Sequence, residues 1–251
     1  MKVKPNNYIL FIEYDGSKFS GWQKQPGRRT VQEELQRAAA KILKEDISFT
    51  ASGRTDAGVH ALCQVVSFST KQTLKPSAFR LSLNAVLPKD IAVSAVKKAP
   101  GGFSARYNAI GKVYEYRIWN HTYRTVWNRH SWHLPQPLDI KLMRKAASFL
   151  RGRHDFTAFE ASGSGQPGKT VNLKEIKIYR RKGLIVLLFK ADRFLYKMVR
   201  NITGTLVDVG LGKTKPESLG GILRSRNRSR AGATAPAKGL FIREISLKYE
   251  K

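Results

Sequence analysis

The sequence is short of cysteine, of acidic residues and of long apolar runs, and each shortage removes a class of function. Cys63 is the only cysteine. One thiol can form no disulfide within the chain and no cysteine cluster for a metal, which fits a reducing cytoplasm. The longest strongly apolar run, Leu184 to Phe189, is far too short to cross a bilayer. The first residues reach Glu13 and Asp15 after a brief apolar stretch and lack the apolar core and small-residue cleavage site of a signal peptide. A soluble, cytoplasmic protein with no membrane partner is expected.

The shortage of acid is the most informative. Lys and Arg number 46 against 18 Asp and Glu, a formal charge of +28. A surface of this sign favours a polyanion, because each phosphate neutralised releases condensed counterions. Nucleic acid is the leading polyanion, ahead of an acidic membrane surface or a merely solubilising coat. The excess is uneven. Residues 1–105 carry 16 basic and 8 acidic side chains, and residues 106–251 carry 30 and 10. The second half is therefore expected to hold more of the polyanion-binding surface.

What is present is enough for a real core: 251 residues, 41% hydrophobic and 10% aromatic. Tyr8 to Tyr14 reads as a strand. A loop containing Gly21, Pro26 and Gly27 follows, and a helix opens at Thr30, where Thr30 and Glu33 have capping-box spacing and Val31, Leu35, Ala38, Ala39 and Ile42 form one stripe. Ile47 to Ser52 and Leu62 to Ser69 read as strands, Pro76 to Val86 as a helix and Ile91 to Val96 as a strand. The order is β-α-β-β-α-β. The second half repeats it: a strand from Lys112 to Trp119, a helix capped by Asp139 running to about Arg151, strands Val171 to Tyr179 and Leu184 to Lys190 around a Lys182-Gly183 turn, a long helix from Phe194 to Val209, a short extra helix after Pro216 and a last strand from Gly239 to Lys248. This predicts an α/β (α+β) fold of two ferredoxin-like, RRM-like units, 1–105 and 106–251, with a central, largely antiparallel sheet and a basic cleft.

One loop concentrates the chemistry. Residues 51–61 read Ala-Ser-Gly-Arg-Thr-Asp-Ala-Gly-Val-His-Ala. Two glycines let the backbone turn sharply and approach a ligand closely. Asp56 sits between them, with Arg54 two residues before it and no other acid within nine residues on either side. A lone carboxylate makes a poor metal site and no two-carboxylate pair; it suits a nucleophile or a single general base. By residue type alone, a turn aspartate bonded to its own backbone is the commoner outcome.

The segment Gly53-Arg54-Thr55-Asp56-Ala57-Gly58-Val59-His60-Ala61 resembles the signature of the TruA family of tRNA pseudouridine synthases. Further blocks resemble that family in the same order: Glu13-Tyr14-Asp15-Gly16, Gly21-Trp22-Gln23, Thr30-Val31-Gln32, Phe103-Ser104-Ala105-Arg106, Lys112-Val113-Tyr114-Glu115-Tyr116, His154-Asp155-Phe156-Thr157, Phe194 to Ile202 and Ala235 to Leu240. The resemblance spans essentially the whole chain. It implies a pseudouridine synthase fold and isomerisation of uridine at positions 38, 39 and 40 of the tRNA anticodon stem-loop. It also implies that no cofactor and no metal are needed, and that the protein is a homodimer.

The resemblance also assigns residues. Asp56 matches the catalytic aspartate, attacking as a nucleophile or taking a proton. Arg54 matches an arginine tied to extrusion of the base from its stem. Tyr114 matches the active-site tyrosine, Arg200 the arginine that pairs with the aspartate and Leu240 an apolar residue of the uracil pocket. Phe103, Ser104, Ala105, Arg106 and Tyr107 match an RNA-contacting segment. Lys24, Arg28 and Arg29 lie in the first loop, expected to be a mobile clamp on RNA. The run Arg224 to Arg230 is either a phosphate grip or a solvated loop. His60 is expected to be structural, and Cys63 to be sheet core. The competing readings are a non-catalytic RNA-binding protein on this fold, a pseudouridine synthase for another RNA site, and an unrelated basic ribosomal protein.

Overall fold

The computed structural model describes residues 5–163 and 168–248. The fold is α/β, with ten strands and five α-helices among those residues, and nearly all strand pairing is antiparallel. The chain forms two compact units, one of residues up to Ile110 together with those from Ile242 onward, the other running from Gly111 to Phe241.

The first unit comprises β1 (Asn6–Tyr14), α1 (Val31–Leu43), β2 (Thr50–Ala51), β3 (His60–Thr70), α2 (Pro76–Val86) and β4 (Ile91–Ala99). Its strands lie in the order β4-β1-β3, with β2 on β3, which is the ferredoxin-like arrangement. Central β1 is antiparallel to both neighbours, and Tyr8, Ile9, Leu10, Ile12 and Tyr14 are all buried along it. The apolar stripe of α1 is buried at Val31, Leu35, Ala38 and Ala39, but at its end Leu43 is buried in place of the expected Ile42, which is half-buried. Pro76 takes the first turn of α2, where its missing N–H costs nothing.

Two local expectations fail here for identifiable reasons. The strand foreseen over Ile47 to Ser52 pairs only at Thr50 and Ala51. Ile47 and Phe49 are buried, but their carbonyls accept from the side-chain amides of Gln36 and Gln32 on α1 (3.1 Å each), in place of a neighbouring strand. The capping box does not form either. Thr30 has the extended backbone of a cap, yet its buried hydroxyl makes no hydrogen bond. The first N–H groups of the helix, those of Val31 and Gln32, donate instead to the carbonyls of Gly21 (3.2 Å) and Trp22 (3.0 Å).

The second unit takes up β5 (Ala109–Asn120) and adds β6 (Trp132–Leu134), α3 (Ile140–Ser148), β7 (Gly152–Asp155), β8 (Thr170–Arg181), β9 (Leu184–Ala191), α4 (Met198–Gly210) and α5 (Ser218–Ser225). Its strands lie in the order β5-β9-β8-β7, and β6 pairs with β5 in parallel. The β8–β9 hairpin closes through Lys182 and Gly183, both with positive φ (47° and 77°), as a two-residue turn matching strand twist requires. Asp139 caps α3, its Oδ1 accepting from the N–H groups of Lys141 (2.8 Å) and Leu142 (3.0 Å). The helix ends three residues early because Phe149 and Leu150 close into tighter turns on Ala146 and Ala147. Helix α4 begins at Met198 rather than Phe194, since Lys197 stands in the left-handed region (φ 55°). The short strands β6 and β7 lie outside the expected repeat. The last strand, β10 (Leu240–Leu247), starts in the second unit and continues in the first.

No helix among the described residues is long and apolar enough to cross a membrane. Helix α4 is buried along almost its whole length, and Gly204 on it lets the chain at Ala233 pass in backbone contact. A methyl group at Gly204 would overlap the Ala233 carbonyl, whereas one at Gly221 in α5 meets open space. Gly204→Ala is therefore expected to cost about 1–3 kcal/mol of stability, and Gly221→Ala to be neutral or stabilising by up to about 1 kcal/mol. Thermal unfolding of the two variants checks the contrast.

Candidate active site

The Asp56 loop joins β2 to β3 and is clasped by the chain that follows β1. Trp22 N–H donates to the Thr55 carbonyl (3.1 Å) and Gly58 N–H to the Phe19 carbonyl (3.2 Å). The two backbones run so close that Gly16 lies against the Val59 carbonyl, and a Cβ at Gly21 would stand 2.5 Å from the Thr55 carbonyl oxygen. Gly21 and Gly58 also have positive φ (91° and 76°). No larger side chain fits that combination at Gly21.

Side chains fasten the loop from beneath. The buried hydroxyl of Tyr14 bonds Thr55 Oγ1 at 2.9 Å. Gln64 on β3 accepts from the Ser52 hydroxyl (2.6 Å) and donates to the Gly53 carbonyl (2.7 Å). At its far end, Gly16 N–H donates to His60 Nδ1 (3.0 Å). Asp15 Oδ1 lies 3.2 Å from the same nitrogen, but that pairing needs a proton on Nδ1 and the Gly16 bond needs a lone pair there. The Gly16 N–H always carries its proton, so that bond sets Nδ1 as an acceptor, while Asp15 Oδ1 accepts from the backbone and hydroxyl of Ser17 (3.0 and 2.6 Å). His60 is 1% exposed, and this contact gives it a structural part.

Asp56 is half-buried and Arg54 is exposed. The turn at Asp56 is closed by its backbone: Val59 N–H donates to the Asp56 carbonyl (3.2 Å), while Gly58 N–H goes to Phe19. The downstream donors that a turn aspartate would bond with its carboxylate thus have backbone acceptors.

The remaining residues of the first unit divide by what they touch. Lys24 and Arg28 are exposed, but the loop is tied down: Ser20 N–H donates to the Arg29 carbonyl (2.8 Å) and Lys24 N–H to Gln32 Oε1 (3.0 Å). Arg29 is committed within the unit. It makes a two-pronged bond to Asp90 (2.7 and 2.9 Å), a third to Glu34 (3.0 Å), and lies over the Phe19 ring at 4.2 Å. Hydrogen bonding to Arg29 holds the Asp90 carboxyl below its ordinary range. In the 103–107 segment Ala105 is fully buried and its N–H bonds Ser67, while Phe103 and Ser104 are half-buried. The exposed members are Arg106 and Tyr107, with the guanidinium 5.5 Å from the ring centroid. Cys63 is half-buried rather than core, with its thiol pushed up by that burial and by Glu244.

In the second unit β5 carries Tyr114 and Tyr116 on one face. Tyr116 is fully buried and donates to the Pro236 carbonyl (2.8 Å); burial pushes its phenol up. Tyr114 meets the edge of Phe194 at 5.0 Å. Arg200, half-buried on α4, donates from Nε to the Ala235 carbonyl (2.7 Å), and Ala235 N–H returns a bond to the Arg200 carbonyl (3.1 Å). Leu240 is buried, next to Gly239, where the chain presses on Tyr116 and the Arg117 carbonyl.

The basic run splits in the same way. Arg228 turns inward to Asn201 Oδ1 (3.0 Å), Thr234 (3.1 Å) and the Ala231 carbonyl (3.1 Å), and loss of solvent lowers its affinity for a proton. Arg226 pairs with Asp155 at 3.0 Å, and Arg224 and Arg230 are exposed. Neither a phosphate grip nor a solvated loop describes Arg228, which braces the segment that Arg200 also holds. Asn201, Arg228, Tyr14, Gln64 and Gly21 were not foreseen in these supporting parts. Polar side chains at apolar positions, such as Gln64 within β3 and Asn201 within α4, were the available signal.

A family model for tRNA pseudouridine synthases matches residues 10–108 and 146–246, which include the Asp56 loop, α4 and the start of β10. The chain belongs to this family. Members similar to it include proteins named tRNA pseudouridine synthase A from Moorella thermoacetica, 44% identical over 94% of this chain and 97% of that one, and from Thermoanaerobacter sp. (strain X514), 42% identical over 95% and 98%. A protein of the same name from Klebsiella pneumoniae subsp. pneumoniae is 42% identical over 96% of this chain and 88% of its own length.

Burial lifts the Tyr14 phenol to about 12, its bonds to Thr55 and Gln64 offsetting part of the rise. The folded state thus holds this proton more tightly than the unfolded chain, where the value is 10.0. The associated stability is complete below about pH 10 and is lost as the pH rises toward 12. Tyr14→Phe is expected to cost about 1 kcal/mol at neutral pH through the lost Thr55 bond and to flatten the alkaline loss. Unfolding midpoints measured from pH 8 to 12 check both.

Proposed function

We propose that this pseudouridine synthase isomerises uridine to pseudouridine in tRNA, at positions 38, 39 and 40 of the anticodon stem-loop, with Asp56 as the catalytic nucleophile. Membership of the family carries the isomerase activity. The observation that supports Asp56 is its loop: a half-buried aspartate sits on a backbone that is clasped through Trp22 and Phe19 and turned by its own peptide bonds. Such a frame limits the carboxylate's freedom, which is what a nucleophile requires.

In the reaction the glycosidic carbon–nitrogen bond breaks, the uracil turns and a carbon–carbon bond forms in its place. The atoms of the nucleotide are conserved. A base paired in a stem must first leave it, at a cost of about a few kcal/mol. Arg54, exposed beside Asp56, is suited to brace the space the base vacates. Tyr114 offers a ring for the extruded uracil, Leu240 an apolar wall and Arg200 the cation that keeps a carboxylate ionised. Arg106 and Tyr107, with Lys24 and Arg28, are the exposed basic and aromatic residues proposed to hold the RNA. A homodimeric, cytoplasmic enzyme belongs to the same proposal; the resemblance of the ordered sequence blocks supports it.

Asp56→Ala and Asp56→Asn are expected to lower pseudouridine formation by at least about a thousand-fold while tRNA affinity changes little. Nucleotide-resolution mapping of pseudouridine on a tRNA transcript, with filter binding alongside, measures both. Near-normal activity in either variant would remove Asp56 from the mechanism. Product outside positions 38–40 would redirect the substrate assignment. Binding by the wild type without any product would leave an RNA-binding protein.

A further inference from the structure

The end of the second unit that carries the β5–β6 loop and the β8–β9 turn combines an unusual exposure of apolar side chains with charge of one sign. Trp127 is 90% exposed, Val126 74% and Tyr123 57%. Arg124 lies among them and is exposed, as are Arg181 and Lys182 in the hairpin turn. That turn meets the base of the loop, since a Cβ at Gly183 would stand 3.0 Å from the Trp119 ring and the Gly183 carbonyl accepts from Asn120 N–H (3.1 Å). The loop is braced from below. Trp119 stacks on His121 (5.4 Å, 10°), His121 meets Tyr123 at 4.1 Å, and Trp119 Nε1 donates to the Tyr123 carbonyl (2.8 Å). Thr125 Oγ1 accepts from Trp127 N–H at 3.3 Å.

No acid occurs between Glu115 and Asp139. The two flanking acids are occupied: Glu115 is buried and paired with Arg117 (2.6 Å), and Asp139 caps α3. The surface is therefore a braced aromatic platform set among cations. We propose that this loop is an RNA-docking surface on which Trp127 stacks an unpaired base while Arg124 and Lys182 neutralise neighbouring phosphates. The inference rests on the reading of the protein as a tRNA-modifying enzyme and adds a contact remote in sequence from Asp56.

Charge favours RNA over a loop-on-loop contact between two copies as occupant. A contact of this loop with the same loop of a second copy would bring Arg124 of each toward the other with no acid in the loop to offset it, whereas phosphates complement it. Base stacking on an aromatic side chain is tolerant of sequence and needs the open ring face that Trp127 presents.

The test uses the full-length protein and an unmodified tRNA transcript. Trp22 and Trp119 are buried and Trp132 is half-buried, so quenching by acrylamide reports chiefly on Trp127, with Trp127→Phe as the reference. Bound tRNA is expected to shield Trp127 from the quencher. Trp127→Ala is expected to weaken tRNA binding about ten-fold, Trp127→Phe much less, and the rate of product formation at saturating tRNA should be unchanged in both. Arg124→Ala should reduce the salt slope of binding by about one. Undiminished quenching of Trp127 in the complex, or equal tRNA affinity in Trp127→Ala, would overturn the proposal. Loss of self-association in Trp127→Ala with tRNA affinity intact would assign the surface to a second copy instead. A wild-type protein that failed to bind tRNA at all would sink the substrate reading first, and this surface with it.

Discussion

The first unit depends on one close approach of backbone to backbone. The chain from Gly16 to Trp22 lies against the loop from Thr55 to Val59 with no side chain between them. Glycines at 16 and 21 make the approach possible, and peptide hydrogen bonds at Phe19 and Trp22 exploit it. Everything proposed for Asp56 presumes this contact, because a carboxylate on a loose loop sweeps many orientations and holds none. Tyr14, Gln64 and His60 act on the same contact from the buried side, each through a hydrogen bond to a loop residue or to Gly16.

The second unit uses a related device between a helix and a strap. Helix α4 carries Arg200, Asn201, Gly204 and Thr205, and each contributes to holding the chain from Arg228 to Ala235. Arg200 binds the strap by backbone and side chain together, so its orientation and the strap's path are set by the same bonds. The buried Asn201 makes two such contacts, to Arg228 and Thr234, and also donates to the Phe159 carbonyl. A polar residue so placed is satisfied by its surroundings rather than by solvent, which is why it can sit in a helix core.

Most of the architecture was legible because it rests on periodicity and punctuation. The stripe of α1, Pro76 at the start of α2, the Asp139 cap and the Lys182-Gly183 turn each express a local rule, and each appears where the rule places it. Two of the failures share a cause: a distant partner supplied what the local signal promised. Gln32 and Gln36 satisfied the backbone that would have made a longer β2, and Gly21 and Trp22 supplied the carbonyls that displaced the Thr30 cap. Among basic residues the sequence could count charges but not say which were already spent. Arg29 and Arg228 face acids and carbonyls of their own unit, while Arg54, Arg106 and Arg124 are exposed. The reading proposed for Asp56 rests on a multi-residue signature; as a lone residue type it read as a turn.

The displaced cap of α1 carries a dynamic consequence. Gly21 and Trp22 accept the first N–H groups of the helix through their carbonyls, and Trp22 also donates to the loop at Thr55. Helix fraying and loop opening therefore draw on one set of bonds and are cooperative. The Asp56 loop cannot lift by itself in the manner of an ordinary surface connection; it opens as part of a larger unit that includes the first turn of α1. Amide protons at Val31, Gln32 and Gly58 should then exchange with solvent on a common timescale, slower than their place near a surface loop suggests.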